Sequence, residues 1–222
     1  MSSPEIGKGE KLVFIGDSGV GKSCIIDRFI KGVYDKYTES SIKVCYASKT
    51  IEIPEIGKSI TLDVWDTAGQ EKYRSLTKFF NKDAQMVILV FDMTRRNTYD
   101  SMINSWYNDL KENGDPNIVI GIAANKSDLY EEEAVSENEA KDFAKSIDAI
   151  FCLTSAQNNN GIDQLFKDVA RKYLDPSYPN IESNIKKPKQ KEEPNQNTKI
   201  SEKDDAKKIE KQKKKKKFCI II

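Results

Sequence analysis

The stretch GDSGVGKS, residues 16–23, follows the apolar run KLVFI and precedes a segment with helical spacing of its apolar residues. It fits G-x-x-x-x-G-K-[ST], a pattern in which glycines let backbone N–H groups wrap around a polyphosphate. The start of the next helix adds partial positive charge there. The alternative, a chance match in a glycine-rich turn, is disfavoured by the flanking strand and helix. We expect phosphate contacts from Asp17, Ser18, Gly19, Val20, Gly21, Lys22, Ser23 and Cys24.

Around this loop, apolar runs that predict strands alternate with amphipathic segments that predict helices. Strands are predicted at 11–16, 43–53, 59–66, 86–91, 118–123 and 150–154, and helices at 21–31, 98–110, 136–147 and 162–174. Such alternation is typical of layered α/β folds. We expect a six-stranded, mostly parallel sheet with helices on both faces. The hairpin around PEIG, residues 54–57, adds one antiparallel edge strand.

The loop has two chemically distinct side chains at its end. Lys22 should reach the β- and γ-phosphates, and the Ser23 hydroxyl should coordinate Mg²⁺. A second motif, WDTAGQE at 65–71, closes the predicted hairpin. Asp66 is expected to hold the metal, Gly69 to bring its N–H close to the γ-phosphate, and Gln70 to orient an attacking water. The alternative is an ordinary strand-end turn with a solvated Asp and Gln.

A third motif, NKSD at 125–128, directly follows a predicted buried strand. The Asp128 carboxylate can accept both donors on the N1–H and amino edge of guanine, a pair that adenine does not offer. Asn125 should tie this segment to the phosphate loop, and the Lys126 stem should lie along the base. TSA, 154–156, follows the next strand, where backbone N–H groups of Ser155 and Ala156 can approach the guanine O6. All these segments follow strands, where ligands of open α/β sheets bind.

Charge is unevenly distributed along the 222 residues, although the formal net charge is +1. Residues 180–222 hold 14 lysines and seven acidic residues, a net charge of +7, which leaves the rest near −6. The chain has no histidine, which excludes histidine-dependent triads and histidine metal sites. The four cysteines are scattered without metal-ligand spacing, and MSSPEIGKGE lacks the layout of a signal peptide. We therefore expect a reduced, cytosolic setting.

GDSGVGKS, WDTAGQE, NKSD and TSA, in this order and spacing, resemble the Ras superfamily of small GTPases over residues 10–174. Within it, the Rab family is the most similar branch. The supporting stretches are RFIKG (28–32), YRSLT (73–77), FF-x-x-x-A (79–84) and AVSENEAKDFA (134–144). The resemblance implies a P-loop G domain that binds GTP or GDP with Mg²⁺ and hydrolyses GTP slowly. It also implies effectors, an exchange factor and a GTPase-activating protein as partners.

The resemblance also assigns roles in the segment after the first helix. Tyr34 takes the place of the aromatic that covers the guanine edge, although it can equally be an ordinary loop tyrosine. Ser41 matches the threonine whose hydroxyl binds Mg²⁺ in the GTP state, and Thr38 is the alternative in another register. Lys43 stands where a glycine is usual, so we expect weaker ordering in the GTP state and an unusual effector surface.

The last residues, KKKKKFCIII, place Cys219 in a C-a-a-X pattern, which predicts prenylation. Adjacent lysines add attraction to an anionic leaflet. We expect residues 1–9 to be flexible, 10–174 to form the G domain, and 175–222 to be a disordered polybasic tail. The expected location is the cytosolic face of an endosomal, vesicular or plasma membrane, with a cytosolic pool bound to a prenyl-binding escort protein. We expect a monomer with no nucleic-acid partner.

Three other functions share parts of this pattern. A P-loop ATPase or nucleotide kinase shares GDSGVGKS, but the NKSD motif disfavours the binding of adenine. A scaffold that binds GTP without switching is compatible with Lys43 in the first switch segment. A Ras-like or Rho-like signalling protein shares the single prenylation box and differs in its effectors.

Overall fold

Six strands form one sheet in the order β2-β3-β1-β4-β5-β6. The strands are β1 (Glu10–Ile15), β2 (Cys45–Ile53), β3 (Lys58–Asp66), β4 (Met86–Asp92), β5 (Val119–Asn125) and β6 (Ile150–Leu153). Only the β2–β3 pair is antiparallel, and every other neighbouring pair is parallel. The predicted six-stranded sheet with one antiparallel edge strand is therefore confirmed.

The computed structural model describes residues 9–34, 45–67 and 83–179, which lie within the compact unit Met1–Ile185. Its helices are α1 (Lys22–Lys31), α2 (residues 96–113), α3 (Glu137–Ser146) and α4 (Ile162–Leu174). Short 3₁₀ turns occupy Pro54–Ile56 and Tyr130–Glu132. Ser41, Lys43, Gly69, Gln70 and Cys219 lie outside the described residues, as do Thr38 and the remainder of the tail beyond residue 179.

The two faces of the sheet carry separate hydrophobic cores, because successive side chains of a strand point to opposite faces. In β1, Leu12 and Phe14 join one core, and Val13 and Ile15 join the other. The first core packs against α1 and α4, with the rings of Phe29 and Phe166 stacked 3.5 Å apart. The second packs against α2 and α3. Helices thus cover both faces, as predicted.

The hairpin at the sheet edge forms where the sequence predicts it. Strand β2 pairs with β3 in register from Cys45 opposite Asp66 to Ile53 opposite Lys58. The connection is the 3₁₀ turn Pro54–Ile56, followed by Gly57 at φ 62°. This left-handed conformation favours glycine. The hairpin places Asp66 at the end of a strand that runs parallel to β1.

Helix α2 differs from its prediction in both length and geometry. A single α-helix was expected at 98–110, whereas the observed helix runs from 96 to 113 and contains a π-helical stretch, Met102–Tyr107, between two α-helical segments. A π stretch has i→i+5 hydrogen bonds and changes which side chains share a face. Apolar periodicity does not reveal such a change.

Helix α3 begins after Ser136, whose side chain caps its first turn. The Ser136 hydroxyl accepts a hydrogen bond from the Glu139 N–H at 3.2 Å, which satisfies one free donor of the first turn. The Glu139 carboxylate pairs with Arg96 of α2. Ser136 therefore caps the start of α3, and the side chain of Glu139 links α3 to α2.

Candidate functional site

Polar groups from distant parts of the chain meet at one edge of the sheet. The phosphate loop follows β1, Asp66 ends β3, Asn125 ends β5, and Thr154 follows β6. Because these strands are parallel, their carboxyl ends lie at the same edge. The structure therefore brings the described parts of all four motifs together.

Glycines shape the phosphate loop at positions where a side chain would clash. Gly16 has φ 145°, and a Cβ there would lie 2.3 Å from the carbonyl oxygen of Val90 on β4. Gly21 has φ 98°, and its Cβ would lie 2.3 Å from Nδ2 of Asn125. These approaches let the loop lie against β4 and against the NKSD segment at once. Glycine is required at both positions for φ and for space.

Lys22 is buried in the hollow of this loop. It is 6% exposed, and its ammonium donates to the carbonyl oxygens of Gly16 and Asp17, each at 2.8 Å. Burial lowers the pKa of Lys22 to about 8, against the opposing charges of Asp66 and Asp17. The ammonium is thus poorly solvated and points at the loop interior. A polyphosphate in the loop would add anionic oxygens to the two carbonyl oxygens that this ammonium contacts.

The predicted metal ligands Ser23 and Asp66 are adjacent. The Ser23 hydroxyl donates to Oδ2 of Asp66 at 2.5 Å, and the Asp66 side chain is 2% exposed. The next residue, Thr67, fixes the backbone by donating its hydroxyl to the Phe14 carbonyl at 2.6 Å. A hydroxyl and a carboxylate are hard oxygen donors of the kind that Mg²⁺ takes from proteins alongside substrate phosphates. The residues present fit that ion.

Asn125 links the NKSD segment to the phosphate loop. Its Nδ2 donates to the Val20 carbonyl at 2.7 Å across 105 positions of sequence. The Thr154 hydroxyl donates to Oδ1 of the same side chain at 3.2 Å. Asn125 is 2% exposed, so both bonds form in a buried setting where they are hard to replace with water. The contact expected from sequence between this asparagine and the phosphate loop is present.

Asp128 and the TSA segment also meet. The Ser155 hydroxyl donates to Oδ1 of Asp128 at 2.6 Å. Ser155 is itself held by a bridge in which its backbone and that of Asn160 exchange two hydrogen bonds. The Asp128 carboxylate is the acceptor that the predicted guanine contact requires. The Ser155 N–H, expected at the guanine O6, instead donates to the Asn160 carbonyl at 3.0 Å.

Arg28 of α1 is a residue of this site whose role the sequence did not indicate. Its Nε donates to the Ala156 carbonyl at 2.8 Å, and Nη2 donates to the Gln157 carbonyl at 3.0 Å. The guanidinium also lies 5.8 Å from the ring centre of Tyr34, the residue expected to cover the guanine edge. Arg28 therefore joins α1, the TSA segment and Tyr34. Its partners lie 128 and 129 positions away, so no local pattern could have shown them.

Asp92, at the end of β4, is a second residue that the sequence did not indicate. It is fully buried, and Oδ2 pairs with Lys126 Nζ at 2.6 Å and with Arg95 Nε at 2.8 Å. Burial by itself would raise the pKa of Asp92, but hydrogen bonds from Lys126, Thr94 and Arg95 hold it below the usual range. Lys126 has a left-handed backbone at φ 64°, and the ion pair with Asp92 fixes its ammonium. The signal in the sequence that could have identified this residue was an aspartate at the end of a buried strand.

The remaining site residues of the loop differ in what their side chains do. Cys24, on α1, is half-buried and packs against the first core. Val20 is fully buried in that core. The Asp17 carboxylate points toward α2 and is bound there by Ser101 and Trp106. The side chain of Asp17 therefore binds α2, and its backbone carbonyl accepts from Lys22.

Comparisons with known proteins agree on one family. The sequence model of the Ras family matches residues 11–175. Ras-related protein Rab-22A of Homo sapiens is 39% identical over 163 residues, which cover 73% of this chain and 82% of that protein. The same protein of Mus musculus is 39% identical over an equal span. Ras-related protein Rab-11A of Dictyostelium discoideum is 41% identical over 159 residues, covering 72% of this chain and 73% of that protein.

Proposed function

Because the chain belongs to the Ras family and is a small GTPase of the Rab type, we propose that it cycles between GDP-bound and GTP-bound states to regulate membrane traffic. The observation that carries this proposal is the hydrogen bond from Asn125 to Val20. It joins the segment suited to guanine with the loop suited to phosphates. One ligand that contains both groups, a guanine nucleotide, can then occupy the whole edge.

Different residues are proposed to bind the base and the phosphates of the nucleotide. Asp128 accepts from the guanine edge, with Ser155 holding its carboxylate. Lys126, fixed by Asp92, lies along the base. The loop N–H groups and Lys22 bind the phosphates. In this arrangement selectivity for guanine over adenine comes from Asp128, because only guanine offers two adjacent donors.

Mg²⁺ is proposed as the second ligand. Ser23 and Asp66 would hold it, the serine directly and the aspartate through water, and Ser41 would add a hydroxyl in the GTP state. When bound, the ion neutralises charge on the β- and γ-phosphates. Lys22 contributes a second positive charge at the same phosphates, and Asp66 orients the Ser23 hydroxyl.

GTP hydrolysis is assigned to WDTAGQE, of which Gly69 and Gln70 lie outside the described residues. Gln70 would orient the attacking water, and the Gly69 N–H would approach the γ-phosphate. We expect intrinsic turnover on the order of 10⁻⁴ to 10⁻³ s⁻¹, as in small GTPases without an arginine supplied in trans. A GTPase-activating protein would accelerate it, an exchange factor would release GDP, and effectors would bind the GTP state. Gln70→Leu should remove most of the stimulated turnover.

Attachment to a membrane is proposed through the tail. In the part of the chain that the structure describes, no helix is long and apolar enough to cross a membrane. A prenyl group on Cys219 gives marginal binding alone, and five adjacent lysines strengthen it at an anionic leaflet. A prenyl-binding escort protein would hold the lipid in the cytosol. Cys219→Ser should move the protein from membranes to the soluble fraction, with Cys24→Ser as the matched control.

Nucleotide competition tests the proposal against its rivals. A fluorescent GDP analogue is bound to the full chain and displaced with GTP, GDP or ATP. GTP and GDP should compete at least a hundredfold better than ATP, whereas equal competition by ATP would indicate an ATPase or a nucleotide kinase. Limited proteolysis of residues 33–45 should differ between GDP and a GTP analogue. Identical cleavage in both states would indicate a scaffold that does not switch.

A further inference from the structure

The phosphate loop is fastened to helix α2 through one carboxylate oxygen. Oδ1 of Asp17 accepts a hydrogen bond from the Ser101 hydroxyl at 2.8 Å and from the indole Nε1–H of Trp106 at 2.7 Å. Trp106 is 2% exposed, and it is among the largest fully enclosed side chains. Asp17 is the second residue of GDSGVGKS, so this contact binds the start of the loop, whereas Asn125 binds Val20 near its end.

The π-helical stretch of α2 contains or adjoins both donors to the same oxygen. In a regular α-helix, residues five positions apart point about 140° away from each other. Ser101 immediately precedes the π stretch Met102–Tyr107, and Trp106 lies within it. A π stretch rotates less per residue, so residues five positions apart lie closer to one face than they do in an α-helix. The π stretch therefore brings the side chains of Ser101 and Trp106 nearer to one face of α2, where both donate to Asp17.

We infer that Ser101 and Trp106 are positioning residues for the bound nucleotide, acting through Asp17, and that the π stretch of α2 is the element that fixes the phosphate loop. The inference rests on the proposed function, because it assigns these residues a role in holding the phosphates. The backbone of Asp17 also accepts from Lys22. The same residue thus joins α2 through its side chain and the phosphate-binding ammonium through its carbonyl.

Two long-range contacts hold residues at the start and near the end of the loop. Asn125 holds Val20 from the NKSD segment, and Trp106 holds Asp17 from α2. Between them lie Ser18 and Gly19, which have exposed or half-buried positions at the lip of the loop. A loop that is held at both positions keeps its N–H groups aimed inward before a ligand arrives. Losing one contact should shorten the residence of the nucleotide more than it weakens the fold.

The test measures release of a fluorescent GDP analogue from the full chain in excess unlabelled GDP and Mg²⁺. Trp106→Phe keeps the aromatic ring and removes the indole donor, and Ser101→Ala removes the other donor. Loss of a buried donor to a carboxylate predicts about fivefold to thirtyfold faster release for Trp106→Phe and a smaller effect for Ser101→Ala. The double variant should depart from additivity, because both donors share one acceptor.

Tyr99→Phe is the matched control. It lies on the same helix, is buried, and loses a hydroxyl that donates to the Glu139 carbonyl at 3.3 Å and not to the loop. Its release rate should stay within twofold of the wild type. Helical content should be equal for Tyr99→Phe and Ser101→Ala, and Ser101→Ala keeps the test decisive where Trp106→Phe folds poorly.

A spectroscopic readout separates positioning from packing. The chain has two tryptophans, so its spectrum has two indole N–H resonances, and Trp65→Phe assigns them. The Trp106 resonance should move when Ser101→Ala removes the other donor to the same oxygen, whereas Tyr99→Phe should leave it in place. Release rates for both α2 variants equal to that of Tyr99→Phe, or a Trp106 resonance that Ser101→Ala leaves unchanged, would overturn the inference. Failure of the wild type to bind the GDP analogue would instead overturn the proposed function on which it rests.

Discussion

The two ends of the proposed nucleotide site are held together in different ways. At the base end, comprising Asn125, Lys126, Asp128, Ser155 and Ala156, polar side chains are bound by other segments, such as Lys126 by Asp92 and Asp128 by Ser155. At the phosphate end, comprising residues 16–23 and Asp66, Lys22 bonds to carbonyls of its own loop and Ser23 bonds to Asp66. The base end can keep its contacts when a ligand binds, whereas the phosphate end must exchange them.

This difference separates selectivity from affinity. A preformed base end discriminates between bases at little cost in reorganisation. At the phosphate end, Lys22 bonds to carbonyls of its own loop. Nucleotide affinity there depends on the charge state of Lys22 and on the metal. Changes at the phosphate end should therefore alter how tightly any guanine nucleotide binds. Changes at the base end should mainly alter which nucleotide is preferred.

Removal of the Lys22 ammonium should have the largest effect. Lys22→Ala loses two charge-assisted contacts to phosphate, so GDP affinity should fall between about a hundredfold and ten-thousandfold. Fluorescence titration with a GDP analogue measures this. Lys172→Ala is the control, because the Lys172 ammonium donates to the Tyr178 carbonyl, outside the site. GDP binding of Lys22→Ala at wild-type strength would remove the assigned role and the comparison with it.

Asp128→Asn should change preference by about a hundredfold or more in the ratio of guanine to xanthine nucleotides, because a site built for a donor pair rejects a ligand that lacks one of the donors. The asparagine amide can donate to the second carbonyl of xanthine. Competition between GDP and xanthosine diphosphate measures the ratio, with the exposed Asp115→Asn as control. An equal loss of affinity for both nucleotides would mean that Asp128 acts on affinity alone, and the division between the ends would fail.

The pH dependence should distinguish the two ends next. Burial lowers the pKa of Lys22 to about 8 in the ligand-free chain, and bound phosphates would raise it again. Binding then takes up a proton above pH 8, so GDP affinity should be flat below that pH and fall by up to about tenfold per pH unit above it. Guanine itself titrates in alkaline solution, so Lys22→Met must be measured alongside. An equal slope in both proteins would contradict the assignment.

The same pKa has an opposite consequence for stability without ligand. Between the folded pKa of about 8 and the ordinary lysine pKa of 10.5, the unfolded chain binds more protons at Lys22 than the folded chain does. The contribution of Lys22 to stability therefore rises with pH across this window. Denaturation of the ligand-free protein at pH 7.5 and 9.5 should show the Lys22 contribution as the difference from Lys22→Met.

Ser155→Ala should have the smallest effect of the set. It removes one hydrogen bond to the Asp128 carboxylate while leaving that carboxylate in place. GDP affinity should fall about twofold to tenfold, the size of a single net hydrogen bond. Ser146→Ala, which loses a bond to the Phe143 carbonyl on α3, is the control. A loss as large as that of Asp128→Asn would mean that Ser155 itself carries the base recognition.

The sequence predicted the sheet and the placement of the motifs because both depend on local patterns. Continuous apolar runs predicted β4 and β5, which are buried on both faces. The glycines and Lys22 of the phosphate loop formed a recognisable spacing. Since parallel strands bring their carboxyl ends to one edge, motifs that follow strands were expected to meet.

Long-range side-chain partnerships could not be predicted in the same way. Arg28 bonds to a carbonyl 128 positions away, and Trp106 bonds to Asp17 across 89 positions. A donor and an acceptor so far apart leave no periodicity. The π stretch of α2 was missed for a related reason, because its apolar residues fit an ordinary helix and its altered hydrogen bonding depends on tertiary contacts.

The two ends of the described domain meet at the edge where the strands begin. Near the start of β1, Glu10 accepts a hydrogen bond from the Tyr173 hydroxyl at the end of α4, at 2.8 Å and across 163 positions. Tyr178 folds back onto the same helix by donating its hydroxyl to Asp168 at 2.9 Å. The two ends of the described residues therefore lie near each other, and neighbouring ends of this kind tolerate circular permutation. A short linker could join the chain near Glu10 to the chain near Tyr173, with new termini placed at the 3₁₀ turn Pro54–Ile56. This change would leave the edge at the carboxyl ends of the strands, where the motifs meet, unaltered.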